Sequence, residues 1–229
     1  MGPSAHPSWN VAQRLRLAPA TIDGTLEEVH ALLRERSRSA CTWEVGSSAT
    51  PSDLTEQLRA RGLVDDRDPY VVGMVLAEPP PTQVDGIEAR EVLSFEEFRA
   101  AQRVAEEAFG GGAGTDDDQL RARYEENLAT GGSKTFVALV DGEIVASASS
   151  TYVEGAVQLN GGAVLPHARG RGAYRALVAA RWADAVGRGT PALVTQAGAM
   201  SKPILERLGF RSVTEITILL DEFGPALSN

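Results

Sequence analysis

The 229-residue chain predicts a mixed α/β fold: a central mixed sheet flanked by helices, plus a smaller N-terminal αβ segment. Three observations carry that expectation. Short apolar runs of strand length alternate with longer segments whose apolar residues recur at helical spacing. Those segments are separated by Gly, Pro and Asp-Gly turn signals. Hydrophobic residues make up 43% of the chain, enough for a packed core at this length.

The clearest boundary is "AEPPPTQVDG" at 77–86, where three consecutive prolines disfavour both helix and central strand. It divides an N-terminal region, 1–80, from a C-terminal domain, 87–229. Downstream, "IEAREVLS" predicts a short strand, and Ser94 with Glu97 forms a capping-box signature for a helix through "FEEFRAAQRVAEEAF". A flexible "GGGAG" ends that helix. Thr115 and the acids at 116–118 open a second one, closed by Gly131 and Gly132, the acids serving to stabilise its N-terminus. "KTFVALV", a "DG" turn and "EIVASASSTYV" predict a β-hairpin, and "AVQLNGGAVL" a third strand. A helix follows whose Ala173, Ala176, Leu177, Ala180, Ala183 and Val186 share one face, expected to pack on the sheet. A strand "ALVTQAG", a short helix "KPILERLG" and a last strand "RSVTEITILLD" complete the order.

Upstream, "TLEEVHALLRERS" predicts a helix, "CTWEVG" a strand, "PSDLTEQLRARGL" a Pro-started helix stopping before Gly62, and "YVVGMVL" a strand. This order repeats the end of the downstream half, so the segment reads either as a degenerate internal repeat or as a chance likeness of αβ units.

Composition excludes several function classes. A formal charge of −9 argues against a general nucleic-acid binder and suits a cationic or neutral small substrate. No run of about 18 apolar residues is present to span a bilayer, and "MGPSAHPSWN" lacks the basic start and apolar core of a secretory signal. The expected location is cytoplasmic, with no membrane partner. Cys41 stands alone, so no internal disulfide forms, and His6, His30 and His167 show no metal-ligand spacing; no metal is expected. Cys41, Trp9, Trp43 and Trp182 are expected to serve packing, and His167 to be an exposed loop residue.

The chemistry concentrates in "AVLPHARGRGAYRALVAARW", 163–182, a Gly-rich, Arg-bearing turn between a strand and a helix. Small residues there let backbone N–H groups converge, and the helix N-terminus adds partial positive charge. Arg169, Arg171 and Arg175 surround the turn, so a phosphate or pyrophosphate is the expected ligand. The P-loop pattern fails because no Lys-Ser/Thr follows Gly172, and a dinucleotide turn fails because Arg175 stands where its third glycine belongs.

The remaining pattern, Arg169-Gly170-Arg171-Gly172-Ala173-Tyr174 after a strand ending "VLP", resembles the acetyl-coenzyme A signature of the GCN5-related N-acetyltransferases, Gln/Arg-x-x-Gly-x-Gly/Ala. Arg169 and Gly172 match; Tyr174 replaces the final Gly/Ala. The resemblance extends from Ile87 to about Asp221 in element order, including "ERLGF" before the last strand, and implies the acyl-CoA N-acyltransferase (GNAT) fold. The upstream half then resembles a truncated, degenerate partial copy without its own cofactor turn.

The resemblance further implies acetyl transfer from acetyl-CoA to a primary amine of a small molecule or peptide, by direct attack. It implies a pantetheine arm along Ala163, Val164 and Leu165, a pyrophosphate held from Arg169 to Arg175, and an oxyanion donor near Val164. Ser201, at the mouth of the last short helix, is a further cofactor contact. Some relatives carry a base eleven residues before the motif's first residue, which here is Gln158; it cannot accept a proton and is expected to orient a water or the substrate. Glu154, two strand steps earlier, is the candidate remote base. The acid tyrosine of many relatives, four residues before the "GF" pair, is replaced by Leu205. Tyr152 and Tyr174 are the other phenols that could approach the sulfur. The missing Glu and Tyr keep an alternative open, a non-catalytic acyl-CoA-binding sensor or scaffold. The resemblance also allows a homodimer.

Overall fold

The structure is a computed structural model that describes residues 6–81, 84–110 and 116–224. The chain divides into two compact units. The first contains residues 1–73, 196–202 and 212–229, and the second residues 74–195 and 203–211.

In the first unit, β1 (Val11–Ala12) is followed by α1 (Ile22–Arg34), β2 (Ala40–Gly46), α2 (Leu54–Ala60) and β3 (Val64–Leu76). Three sequence expectations shift here. α1 begins three residues before Thr25, because a 3₁₀ turn over Pro19–Thr21 feeds directly into it and Ile22 is fully buried. Pro51 does not start α2: its carbonyl accepts the Leu54 amide at 3.0 Å, a separate turn ahead of the helix. β3 starts at Val64 rather than Tyr70, its polar "DDRD" residues being carried in the strand neighbouring β9. Trp43 is fully buried in this unit's core with Ile22, Leu54, Leu58 and Leu219. Trp9, by contrast, is half exposed and does not serve as a core residue.

The second unit holds β4 (Glu88–Glu91), α3 (Phe95–Phe109), α4 (Asp117–Thr130), β5 (Ser133–Val140), β6 (Glu143–Val153), β7 (Ala156–Val164), α5 (Ala173–Gly187) and the start of β8 (Leu193–Ala197). The last elements of the chain are α6 (Lys202–Arg207) and β9 (Arg211–Glu222). β4 to β7 pair antiparallel in order, and β7 pairs parallel with β8, so the sheet is mixed as the sequence predicts. The capping box forms: Ser94 Oγ accepts the Glu97 amide at 3.2 Å, and the Glu97 carboxylate accepts the Leu93 amide while Arg90 binds it in a two-toothed pair. The expected "GGGAG" linker and Thr115 lie largely outside the described residues; Gly110 ends α3 in the left-handed conformation.

Strand alternation sends the two helices to opposite faces. Ala101 of α3 packs on Val137 and Leu139, and Val104 on Ala163 and Leu165. Ala173 and Leu177 of α5 pack on Phe136, Ala138, Val140, Ala146 and Ala148. The predicted face of α5 is rotated in the structure. Ala183 and Val186 are exposed, whereas Val178, Arg181, Trp182 and Ala185 are buried. Alanines occur on both sides of this helix, so apolar spacing alone does not choose a face.

Candidate functional site

The site is built on β7 and the turn after it. β7 pairs with β8 at only two positions, Val157 with Leu193 and Gln158 with Val194. Just beyond them, Thr195 Oγ1 donates to the Leu159 carbonyl at 3.1 Å. On its other side β7 stays paired with β6 as far as Val164. The Leu165 amide donates to the Val145 carbonyl, toward β6, so alternation turns the amide of Val164 to the opposite edge. This is the edge on which a ligand can be received as an added strand.

The β6–β7 register slips between Ser147 and Ser149: Ser147 faces Ala163, but Ser149 faces Asn160. Gly161 and Gly162 therefore stand opposite one residue in a β-bulge, with Gly161 at φ 56° and both glycines exposed within the strand. The sequence carries a signal for it, a Gly-Gly pair inside an otherwise strand-like run.

After Val164 the chain makes a 3₁₀ turn over Pro166–Ala168 and enters α5 through two glycines with positive φ, Gly170 at 76° and Gly172 at 98°. Gly172 is the N-cap residue and no side chain caps the helix. The first helical bond runs from the Ala176 amide to the Gly172 carbonyl, so the amides of Ala173, Tyr174 and Arg175 have no acceptor within the helix. A 15-residue helix thus presents bare N–H groups and the positive end of its dipole at one point. Arg169, Arg171 and Arg175 are exposed around it; Arg169 Nε donates to the Val164 carbonyl at 3.3 Å, and Arg175 lies beside Gly172. A diphosphate fits this donor set: bare amides for its oxygens, guanidinium groups for its charge, and open space beside Gly170, while Val84 packs against the α-carbon of Gly172.

The α3 face of β6 and β7 carries a polar group of side chains. Gln158 Nε2 donates to Asn160 Oδ1 at 3.2 Å, and Asn160 Nδ2 donates to Thr151 Oγ1 at 3.1 Å. Gln158 is exposed at the point where β7 parts from β8. Glu154 is not on a strand: it occupies the tight turn with Gly155 between β6 and β7, exposed. At about 3.3 Å per strand residue it is on the order of 20 Å from the bulge. The structure therefore joins Gln158 to Asn160 and Thr151 but does not bring Glu154 to them, because the hairpin turns before the residue reaches a strand face.

Of the two phenols, Tyr152 is committed elsewhere. Its hydroxyl donates to Asp184 Oδ2 at 2.6 Å, and Lys134 bridges Asp184 and Glu91. Burial and the Asp184 carboxylate push the Tyr152 phenol well above its ordinary value. Burial alone would raise the Asp184 carboxyl; the Tyr152 hydroxyl and the Lys134 ammonium outweigh it and hold it below the usual range. Tyr174 is half-buried and packs on Gly162. Leu205 is buried in α6. Ser201, assigned to the cofactor from its sequence position, belongs to the first unit, where its hydroxyl faces the Gly198 carbonyl at 3.4 Å. Sequence reasoning missed Asn160, Thr151 and Arg181. Asn160 has a signal, a polar residue two positions from Gln158 on the same strand face, whereas nothing in the sequence separates Arg181 from a solvated helix residue.

Among the described residues no helix is long and apolar enough to cross a membrane, and no group of three or more His, Cys, Asp or Glu is placed to hold a metal ion.

A mixed sheet with an open strand edge and an anion-ready helix start makes a site for a phosphate-bearing ligand, and comparison with known proteins gives the family. The sequence pattern of the Acetyltransferase (GNAT) family matches residues 95–210, and the chain belongs to that family. No curated protein matches in sequence. Among solved structures, a GCN5-related N-acetyltransferase from Kribbella flavida superposes with a TM-score of 0.70 at 22% identity, covering 93% of this chain and 81% of that one. One from Sphaerobacter thermophilus gives 0.68 at 18% identity, covering 92% and 72%. A tandem GNAT protein from the clavulanic acid biosynthesis pathway gives 0.67 at 16% identity, covering 92% and 73%. At these identities the likeness establishes the fold.

Proposed function

We propose that this acetyltransferase takes its acyl group from acetyl-CoA and passes it to a primary amine by direct attack. One observation carries the reading: the uncapped start of α5 lies at the end of a strand whose ladder with β8 ends at Gln158, with only the Thr195 hydroxyl on Leu159 beyond it. The bare amides of Ala173 to Arg175, with Arg169 and Arg171, bind the pyrophosphate. The edge at Val164 receives the pantetheine arm and its amide polarises the thioester carbonyl, a donor worth about 3 kcal/mol of barrier in comparable sites. The bound thioester supplies the electrophile. Gln158, Asn160 and Thr151 hold a water or the amine; with Glu154 far off in the hairpin turn, the ammonium proton leaves through water rather than to an adjacent carboxylate. The amine nitrogen forms the new bond to carbon and gives up a second proton to water, the C–S bond breaks, and the thiolate takes a proton from solvent. Residues 1–80 are read as a reduced second copy of the fold without its own cofactor turn, in keeping with the coverage of the tandem relative.

Thermal unfolding with saturating acetyl-CoA tests the binding half, and a rise of several degrees is expected. Thiol release across polyamines, aminoglycosides, amino acids and peptide N-termini tests the transfer half. Stabilisation without release from any amine would favour a sensor, and no stabilisation would end the reading.

A further inference from the structure

We propose that Tyr174 is a positioning residue: its ring, seated under Gly162 with the buried Arg181 guanidinium behind it, holds the Gly161–Gly162 bulge so that the edge amide of Val164 faces the thioester carbonyl. This rests on the proposed acetyl-CoA reading and adds a part to it.

Tyr174 stands at the helix start where a small residue would suffice to free the backbone amides. Its ring does not crowd those amides, because it turns down onto β7. A Cβ built on Gly162 would lie 2.5 Å from Tyr174 Cε2, 3.3 Å from Cδ2 and 3.6 Å from Cζ, so the ring lies against the bare α-carbon of that glycine. No other residue type at 162 leaves room for it. A two-glycine bulge has unusual backbone freedom, and a planar ring against one of its α-carbons restricts it.

Arg181 fixes the other side of the bulge. It lies seven residues along α5, on the same helix face as Tyr174, and is 1% exposed. Its Nε donates to the Leu177 carbonyl at 3.1 Å and its Nη1 to the Ser149 carbonyl at 3.4 Å. Ser149 is the ladder partner of Asn160, the residue immediately before the bulge. Nη2 has no hydrogen-bond partner within 3.5 Å among the described residues. Burial draws this guanidinium down to about 10, with the Tyr174 phenol acting in the opposite sense. A buried cation with no carboxylate partner is a costly way to fill a core. Its placement is accounted for if it anchors β6 at Ser149, opposite the residue before the bulge, while Tyr174 braces the bulge itself at Gly162. The contact with Gly162 is made by ring carbons, whereas the hydroxyl acts on Arg181, so the brace itself does not need the hydroxyl.

The test reads the carbonyl directly and needs no acceptor. Acetyl-CoA labelled with ¹³C at the acetyl carbonyl is bound to the full chain, and its carbonyl stretch is followed by isotope-edited infrared spectroscopy, with affinity from calorimetry. The wild type is expected to lower the stretching frequency relative to free acetyl-CoA. Y174F should keep that shift. Y174A should lose most of it while still binding, and once an amine is in hand its kcat should fall roughly 100-fold with little change in KM. G162A displaces the ring without deleting it and should lose the shift as well, which covers the case in which Y174A does not fold. A full shift in Y174A or G162A overturns the brace and leaves the acetyl-CoA reading standing. Loss of the shift in Y174F would move the role to the hydroxyl and also overturns it. A wild type that does not bind acetyl-CoA refutes the underlying reading, and the brace with it.

Discussion

Replacing Gly172 by alanine separates the backbone demands of the turn from those of its neighbour Gly170. Gly172 has φ 98°, and a Cβ there would stand 2.7 Å from Val84 Cγ1, so the substitution meets both a left-handed backbone and a steric conflict. The first costs roughly 1–2 kcal/mol. The second adds about 1–2 kcal/mol, toward the low end of overpacking, because Val84 presents a side-chain methyl rather than backbone. About 3 kcal/mol in a chain of this size lowers Tm by roughly 6–12 °C. Gly170 has φ 76° but nothing within 4 Å of its would-be Cβ, so Gly170→Ala carries the backbone cost alone, roughly 2–8 °C and less than Gly172→Ala. Unfolding followed by circular dichroism, without ligand, measures both. Calorimetry with acetyl-CoA adds the second reading, because a methyl group among the bare amides that blocks one charged hydrogen bond weakens Kd roughly 10- to 100-fold. Equal Tm losses in the two variants, or a Gly172→Ala protein that binds like wild type, would refute this account of the turn.

Three further outcomes are expected. Arg171→Gln, at an exposed position, should weaken acetyl-CoA binding several-fold and flatten its dependence on salt, as titrations at low and high ionic strength would reveal. Asp184→Asn should destabilise the protein at neutral pH. The wild-type carboxyl is held below its unfolded value, so its contribution is present above about pH 4 and fades as pH falls through the folded value. Denaturant curves from pH 7 down to about pH 3 should therefore show the gap between variant and wild type closing on the acid side. Cys41 is 1% exposed and burial pushes its thiol up to about 12, so a thiol reagent should leave the native protein unlabelled and modify one cysteine after denaturation.

The sequence by itself determined the elements of the second unit and the glycine-rich, uncapped start of α5. Ser94 with Glu97, Gly131 after α4, and Asp141-Gly142 between β5 and β6 are local signals, and each acts through bonds between residues a few positions apart. For the same reason the bare amides of α5 were legible: a Gly-rich stretch ahead of a helical pattern leaves its N-terminus without a capping side chain wherever the helix is placed. Only the tertiary structure decided what depends on register and on facing surfaces. The slip that makes Gly161–Gly162 a bulge depends on how β6 pairs, and Glu154 falls in a turn because that pairing ends at Val153 and Ala156. The rotation of α5 that buries Arg181 and exposes Val186 depends on the sheet beneath it. A run rich in alanine has apolar residues on more than one side, so its own pattern leaves the orientation open until a partner surface selects it.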